Sequence, residues 1–94
     1  MKRVEWSDLA ARDLEEIDDY WVRYSEEAAE EISLKIEQAA SFLATMPGAG
    51  PAVRARDARK WSVSNTRYVI IYRVLQGRIE VLRVRHSSQN WTES

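Results

Sequence analysis

The 94-residue sequence predicts an α+β fold in which an antiparallel helical hairpin packs on a small, mainly antiparallel β-sheet. Two apolar stripes with helical spacing occupy the first half of the chain, and alternating patterns rich in Val, Ile and Tyr occupy the second half. Between them, residues 47–57 hold four of the chain's five Gly and Pro residues, which indicates a loop. We therefore expect the order βααβββ, and the length fits one domain over residues 1–94.

The first strand and the first helix follow each other closely. Residues 2–6 alternate between apolar and charged side chains, which predicts a short strand. Ser7 can then cap the N-terminus of a helix, and Asp8 suits the positive end of the helix dipole. The apolar stripe of this helix has spacings of three and four up to about residue 24, and its members are Ala10, Leu14, Ile17, Trp21 and Tyr24.

The second helix repeats this spacing. Ser25 is a suitable N-cap, and Pro47 with Gly48 ends the helix. Its predicted buried stripe consists of Ala29, Ile32, Ile36, Ala39, Leu43 and Met46. Because so few residues join the two helices, they must lie antiparallel as a helical hairpin.

Three strands are predicted in the second half of the chain. A short one includes Trp61 and Val63, and two longer ones cover residues 67–75 and 78–86. Gln76 and Gly77 between the longer strands fit a two-residue hairpin turn, in which Gly supplies the positive φ.

Counting outward from this turn predicts the register of the hairpin. One face then carries four aliphatic side chains, and we expect the helices to cover it; they are Val69, Ile71, Leu82 and Val84. The same count places Arg67 opposite His86. A neighbouring cation favours a neutral imidazole, so these two side chains could form a general base with a phosphate clamp. The alternative is that His86 ends the strand and packs on an aromatic ring.

Composition limits the classes of site. The chain has no Cys and one His, which excludes a disulfide framework and thiol catalysis and leaves no ligand set for structural zinc. We therefore expect no metal and no cofactor. No segment resembles a secretory signal or reaches the ~18 apolar residues of a membrane span. We expect a cytoplasmic protein with no membrane partner.

The charge is distributed unevenly along the chain. Residues 1–46 contain 12 acidic and 5 basic side chains, for a net charge of −7, and residues 47–94 contain 3 and 9, for +6. Either the basic half faces an anionic partner, or the acidic helices and the basic sheet attract each other within the fold.

Three segments in this order resemble the RelE/ParE toxin superfamily. Residues 6–17 resemble its first strand turning into its first helix, residues 66–74 its central strand, and residues 79–86, with Gln89 and Trp91 after them, its last strand and tail. The resemblance spans nearly the whole chain. It implies the toxin of a type II toxin–antitoxin module, with a role in plasmid stabilisation, that is bound and neutralised by a cognate antitoxin in a hetero-oligomer.

The superfamily contains two kinds of toxin. ParE-type members inhibit DNA gyrase, and RelE-type members cut mRNA on the ribosome. The net charge of −1 favours a ParE-like gyrase inhibitor, because a nuclease that contacts many phosphates is usually basic. The alternatives are a RelE-like ribosome-dependent mRNA endonuclease and a non-toxic relative that still binds the antitoxin.

The resemblance also suggests site residues. In the ParE case, contacts to the target or a partner would come from the basic half and the tail: Arg59, Lys60, Arg83, Arg85, His86 and Trp91. In the nuclease case, the residues around the scissile phosphate would be Arg67, Arg83, Arg85 and His86. Two features differ from the nucleases: Ser87 stands where an aromatic residue often follows the histidine, and the 59–63 strand has no carboxylate.

Overall fold

The computed structural model describes residues 2–53 and 57–88, and within them the predicted order βααβββ is confirmed. The four strands form one mixed sheet in the order β1-β4-β3-β2, in which β1 runs parallel to β4 and the other neighbours are antiparallel. The helical hairpin packs on one face of this sheet. The elements are β1 (Arg3–Trp6), α1 (Asp8–Val22), α2 (Glu26–Thr45), a 3₁₀ turn (Pro47–Ala49), β2 (Arg59–Ser62), β3 (Tyr68–Leu75) and β4 (Arg78–His86).

Both helices begin at the predicted caps. The Ser7 Oγ accepts the Ala10 N–H at 3.0 Å, and the Ser25 Oγ accepts the Ala28 N–H at 2.9 Å. The first helix ends at Val22, so Tyr24 leaves the predicted apolar stripe and is 67% exposed. Within residues 2–53 and 57–88, neither helix has the length and apolar character needed to cross a membrane.

The helices cover the face of the sheet that carries tyrosines, so the predicted choice of the aliphatic face is wrong for Val69, Ile71 and Leu82, and of the four predicted side chains Val84 faces the helices. Tyr68, Ile70 and Tyr72 of β3 face the helices together with Ile79 and Val81 of β4. A buried tyrosine contributes a large apolar ring, provided that its hydroxyl finds a hydrogen-bond partner. Both tyrosines on this face meet that condition.

The hydroxyl of Tyr72 organises the turn that follows α2. The side chain is fully buried, and its hydroxyl donates to the Pro47 carbonyl at 2.6 Å and accepts the Gly50 N–H at 3.1 Å. Gly50 is required at this point, because a Cβ would overlap the Lys60 carbonyl oxygen. On the same face of the sheet, the Trp21 indole N–H donates to the Tyr68 hydroxyl at 2.9 Å.

The aliphatic face is buried by a different segment. Val69 and Ile71 pack against Ala58, and Val53 and Leu82 complete this smaller cluster. Residues just before β2 thus cover the side of the sheet that the helices leave open.

The hairpin register agrees with the prediction only near the turn. Gly77 has the expected positive φ of 76°, and the pairing holds from Leu75–Arg78 to Tyr72–Val81. A β-bulge then intervenes, so that Leu82 is the extra residue and Ile71 pairs with Arg83. The prediction that Arg67 lies opposite His86 is therefore wrong, because Tyr68 takes that place.

Two side chains from the beginning of the chain stabilise the bulge. The Ser7 hydroxyl donates to the Leu82 carbonyl at 2.8 Å, and the Asp13 carboxylate accepts the Val84 N–H at 2.9 Å. These bonds satisfy backbone groups that a regular ladder would have paired with a strand. The bulge consequently depends on α1 packing against β4.

Candidate functional site

A cleft of about 710 Å³ lies between the C-terminal half of α1 and the neighbouring ends of β3 and β4. It brings together all four residues proposed for a nuclease site, although Arg67 and His86 are not cross-strand partners. Aromatic side chains from the helices and from the sheet both line this cleft. The described lining residues are Asp13, Glu16, Ile17, Tyr20, Trp21, Arg67, Tyr68, Arg83, Val84, Arg85, His86 and Ser88.

An ion pair with two hydrogen bonds fixes one of the arginines in the cleft. The Arg83 Nε and Nη2 donate to the two carboxylate oxygens of Asp13 at 2.8 and 2.9 Å. Asp13 is buried, with 7% of its surface exposed, and its hydrogen bond to Arg83 raises the pKa of that guanidinium. Arg83 therefore stays charged and oriented, while Asp13 offsets most of its charge.

Asp13 is the site residue that the sequence reasoning missed. It lies three residues after Ala10 and four before Ile17, both of which are buried in the core. A carboxylate at a position with this helical spacing must have a partner in the fold, because an unpaired buried charge is costly. This spacing is the signal from which a buried carboxylate could have been predicted, but it does not identify the cation that pairs with Asp13.

His86 lies at the mouth of the cleft and packs edge-on against the Tyr68 ring, with 5.7 Å between the ring centroids. This contact agrees with the alternative in which His86 ends the strand and packs on an aromatic ring. Its Nδ1 accepts the Ser88 N–H at 3.2 Å and lies 2.7 Å from the Ser88 hydroxyl. With Nδ1 as an acceptor, a neutral ring carries its proton on Nε2.

Tyr20 and Trp21 line the cleft at the end of α1, and Tyr24 packs against both of them. The centroids of Tyr20, Trp21 and Tyr24 are 5.3 to 5.8 Å apart, and 49% of Tyr20 is exposed. The hydrogen bond between the two tyrosine hydroxyls, at 3.4 Å, raises the pKa of Tyr20. Exposed tyrosine beside tryptophan and arginine is the composition that protein interfaces favour.

The sequence from residue 4 to residue 91 matches the family described as the ParE toxin of the type II toxin–antitoxin system parDE. The chain belongs to the ParE toxin family. Among relatives, the Y4kP protein of Sinorhizobium fredii is 32% identical over 92 residues, covering 98% of this chain and 95% of that protein. Toxin RelE2 of Caulobacter vibrioides is 34% identical over 89 residues, covering 95% of this chain and 99% of that protein.

A solved structure has the same architecture as this member of the ParE toxin family. The structure is that of the chromosomal ParDE TA system from P. aeruginosa, and one of its chains matches with a TM-score of 0.81 at 25% identity. The match covers 92% of this chain and 96% of that chain. It confirms the predicted fold of two helices on a mainly antiparallel sheet.

Two further predicted contact residues of the ParE-family chain, Arg59 and Lys60, do not line the cleft. The guanidinium of Arg59 donates to the Gly50 carbonyl at 2.7 Å and thereby supports the turn after α2. Lys60 is the cross-strand partner of Ile71, so it lies on the face of the sheet that the helices leave open. Trp91 lies outside the described residues. Arg67, in contrast, is exposed at the cleft, and its carbonyl accepts the Ser87 N–H at 2.6 Å.

The described part of the chain contains no group of three or more His, Cys, Asp or Glu residues that could hold a metal ion. The carboxylates at the cleft are those of Asp13 and Glu16, and Asp13 is committed to Arg83 and the Val84 N–H. What the cleft presents to a partner is therefore a mixture of cations, aromatic rings and one exposed carboxylate.

Proposed function

We propose that this chain is a toxin that inhibits DNA gyrase and is neutralised by a cognate antitoxin in a hetero-oligomeric complex. The observation that carries the proposal is the match of residues 4–91 to the ParE toxin family, and one chain of a solved ParDE structure has the same fold. Inhibition would proceed through protein–protein contact and not through catalysis. Because the target is a bacterial DNA enzyme, we place the protein in the cytoplasm.

The charge of the cleft supports a protein target. Three arginines line it, but two carboxylates line it too, and Asp13 binds Arg83 directly. A site that follows a phosphate backbone needs several uncompensated cations, whereas a protein interface needs buried aromatic and arginine anchors within a polar rim. Tyr20 and Trp21 beside Arg67 match the second description.

A second candidate function is ribosome-dependent cleavage of mRNA. One observation favours it: Arg67, Arg83, Arg85 and His86 share a cleft with the exposed carboxylate of Glu16. In this scheme, His86 or Glu16 would accept the proton of the attacking 2′-hydroxyl, and the other of the two would protonate the 5′-oxygen as its bond to phosphorus breaks. Arg67 would bind the phosphate. The acid–base carboxylate would then be Glu16 of α1 and not a residue of strand β2.

One experiment separates the two functions. The purified protein is added to a gyrase supercoiling assay and, in parallel, to a translation reaction with labelled mRNA. We expect supercoiling to stop while the mRNA stays intact. Arg67→Ala should weaken the inhibition about tenfold, because an arginine anchor contributes on the order of 1–2 kcal/mol.

Arg73→Ala is the matched control. Arg73 is an exposed arginine of the same strand, paired with Glu80 at the opposite end of the sheet, and its loss should leave inhibition unchanged. Cleavage of mRNA with normal supercoiling would contradict the proposal and support the nuclease, in which case His86→Ala should lower the cutting rate by orders of magnitude. If the protein neither stops supercoiling nor cuts mRNA, the result would indicate a non-toxic relative that retains antitoxin binding.

A further inference from the structure

The guanidinium of Arg83 has hydrogen-bond donors that the fold does not use. A guanidinium carries five N–H donors in one plane, and Asp13 accepts two of them, one from Nε and one from Nη2. The edge that joins Nη1 to the second N–H of Nη2 is left over. Within residues 2–53 and 57–88 no partner of that edge occurs, and Arg83 lines the cleft with its side chain partly exposed.

This unused edge has the shape that a second carboxylate fits. Two parallel N–H groups of a guanidinium match the two oxygens of a carboxylate, and the resulting hydrogen bonds are strengthened by charge. Asp13 holds the other edge, so the plane of the Arg83 guanidinium is fixed before a partner arrives. Binding a second carboxylate therefore costs little side-chain entropy on the arginine.

Arg67 brings a further guanidinium to the same cleft. Its side chain is exposed, and no acidic partner of it occurs in the part of the chain that the structure describes. By contrast, Arg73 pairs with Glu80 and Arg78 pairs with Glu5 near the hairpin turn. Arg67 and Arg83 thus both present unused donors to the cleft.

The charge around these donors limits the kind of anion that fits. The described lining holds three arginines and two carboxylates, so its net charge with a neutral histidine is +1. A nucleic-acid strand would bring a row of phosphates past the exposed carboxylate of Glu16, which repels them. A peptide can carry one or two carboxylates for the arginines and place uncharged side chains beside Glu16.

Aromatic side chains next to the arginines provide a surface for an apolar residue. Tyr20 is half-exposed and packs edge-on against Trp21, and both line the cleft. The Trp21 indole is held in place by its hydrogen bond to the Tyr68 hydroxyl. Rings that are fixed in this way give a partner's large apolar side chain a rigid surface to pack on.

We propose that the cleft binds an acidic segment of the toxin's protein target, with carboxylates on Arg67 and on the free edge of Arg83 and an apolar side chain on Tyr20. This inference rests on the proposed function, because it takes the target to be a protein, and it states which chemistry that protein must present. Asp13 is then a positioning residue, since it orients Arg83 and does not touch the target.

Binding of a labelled peptide tests the chemistry. The probe is a short blocked peptide of glutamates around one central phenylalanine, and its fluorescence anisotropy is followed as the purified chain is added. The control peptide has glutamine in place of every glutamate. We expect the acidic peptide to bind at least about tenfold more tightly, because charge-assisted bonds are stronger than neutral ones, and added salt should weaken it.

Two arginine substitutions should weaken this binding. Arg67→Gln removes one guanidinium, and Arg83→Lys keeps a cation for Asp13 but loses the second edge. Each should raise the Kd of the acidic peptide about tenfold. Arg73→Gln removes an exposed arginine outside the described lining of the cleft and should leave the Kd unchanged. Thermal unfolding of each variant confirms that it is folded.

A gain of affinity is a result that misfolding cannot imitate. Glu16→Gln removes the exposed carboxylate that repels the probe and should lower the Kd of the acidic peptide about threefold. Glu15→Gln, at an exposed position of the same helix outside the described lining, should change it much less. Tyr20→Ala should weaken the peptide with a central phenylalanine but not one with a central glycine.

The supercoiling assay connects the cleft to the target. Excess acidic peptide should relieve the inhibition of gyrase by the wild-type chain, and the glutamine peptide should not. If the wild-type chain does not inhibit gyrase at all, the proposed function fails. Peptide binding is measured without gyrase, so the chemistry of the cleft is judged separately.

Three results would overturn the inference while gyrase inhibition by the wild-type chain stands. The first is an acidic peptide that binds no better than the glutamine peptide, because the cleft then does not recognise carboxylates. The second is a single-stranded oligodeoxythymidylate that binds more tightly than the acidic peptide and is weakened by Arg67→Gln, which assigns the cleft to nucleic acid. The third is an acidic peptide that binds the cleft and leaves gyrase inhibited, since the target must then contact another surface.

Discussion

Replacing Asp13 by alanine removes the carboxylate that joins α1 to β4. That carboxylate accepts two hydrogen bonds from the Arg83 guanidinium and one from the Val84 N–H, all between 2.8 and 2.9 Å long. We therefore expect Asp13→Ala to destabilise the bulge and the packing of the helix on the strand together.

The expected magnitude follows from the groups that lose their partner. Val84 is buried, and a buried donor left without a partner costs about 1–3 kcal/mol. Breaking a fully buried ion pair costs about 3–5 kcal/mol, but the Arg83 side chain is 34% exposed and water can solvate it, so we assign only about 1 kcal/mol to its loss. The free energy of unfolding should fall by about 2–4 kcal/mol, which corresponds to a decrease in Tm of roughly 10–25 °C for a chain of this size.

Urea denaturation, monitored by tryptophan fluorescence, measures this difference in the free energy of unfolding. Asp18→Ala, which removes an exposed carboxylate from the same helix, is the control and should change stability by less than about 0.5 kcal/mol. Asp13→Asn keeps an oxygen for the Val84 N–H and should lie between the two. If Asp13→Ala behaves like the Asp18 variant, the carboxylate does not stabilise the bulge and the reasoning is refuted.

Three further predictions concern single side chains. Tyr72→Phe removes a buried hydroxyl with two hydrogen bonds and should lower the free energy of unfolding by about 1–3 kcal/mol in the same urea titration, whereas a neutral result would contradict those bonds. Tyr24→Phe removes the hydrogen bond that raises the pKa of Tyr20, so the Tyr20 phenolate should form at lower pH in an ultraviolet absorbance titration; an unchanged titration argues against the contact. Gly77→Ala places a Cβ at a φ of 76° and should lower Tm by several degrees, since the cost is about 1 kcal/mol, and a higher Tm would count against the turn geometry.

Local signals predicted the elements well because their causes lie within a few residues. Ser7 and Ser25 cap the helices through hydroxyls that reach N–H groups three residues later. Gly77 adopts the positive φ that a two-residue turn requires. The change from helical to alternating spacing then separates the hairpin of helices from the strands.

The register could not be predicted beyond the turn. Counting assumes a regular ladder, and the extra residue Leu82 is stabilised by Ser7 and Asp13, which lie 75 and about 70 positions earlier in the chain. No local pattern around Leu82 contains that information. The choice of the tyrosine face was missed for a similar reason, since it depends on where the two hydroxyls find partners.

The same division applies to the candidate site. The sequence by itself determined which residue types are available: arginines and one histidine on the last strands, and aromatic residues along the first helix. Only the tertiary structure decided that Arg67, Arg83 and His86 share a cleft while Arg59 turns toward the loop after α2. The physical reason is range, because helix caps and turns act between near neighbours, whereas a buried charge takes whichever partner the packed layers bring within about 3 Å.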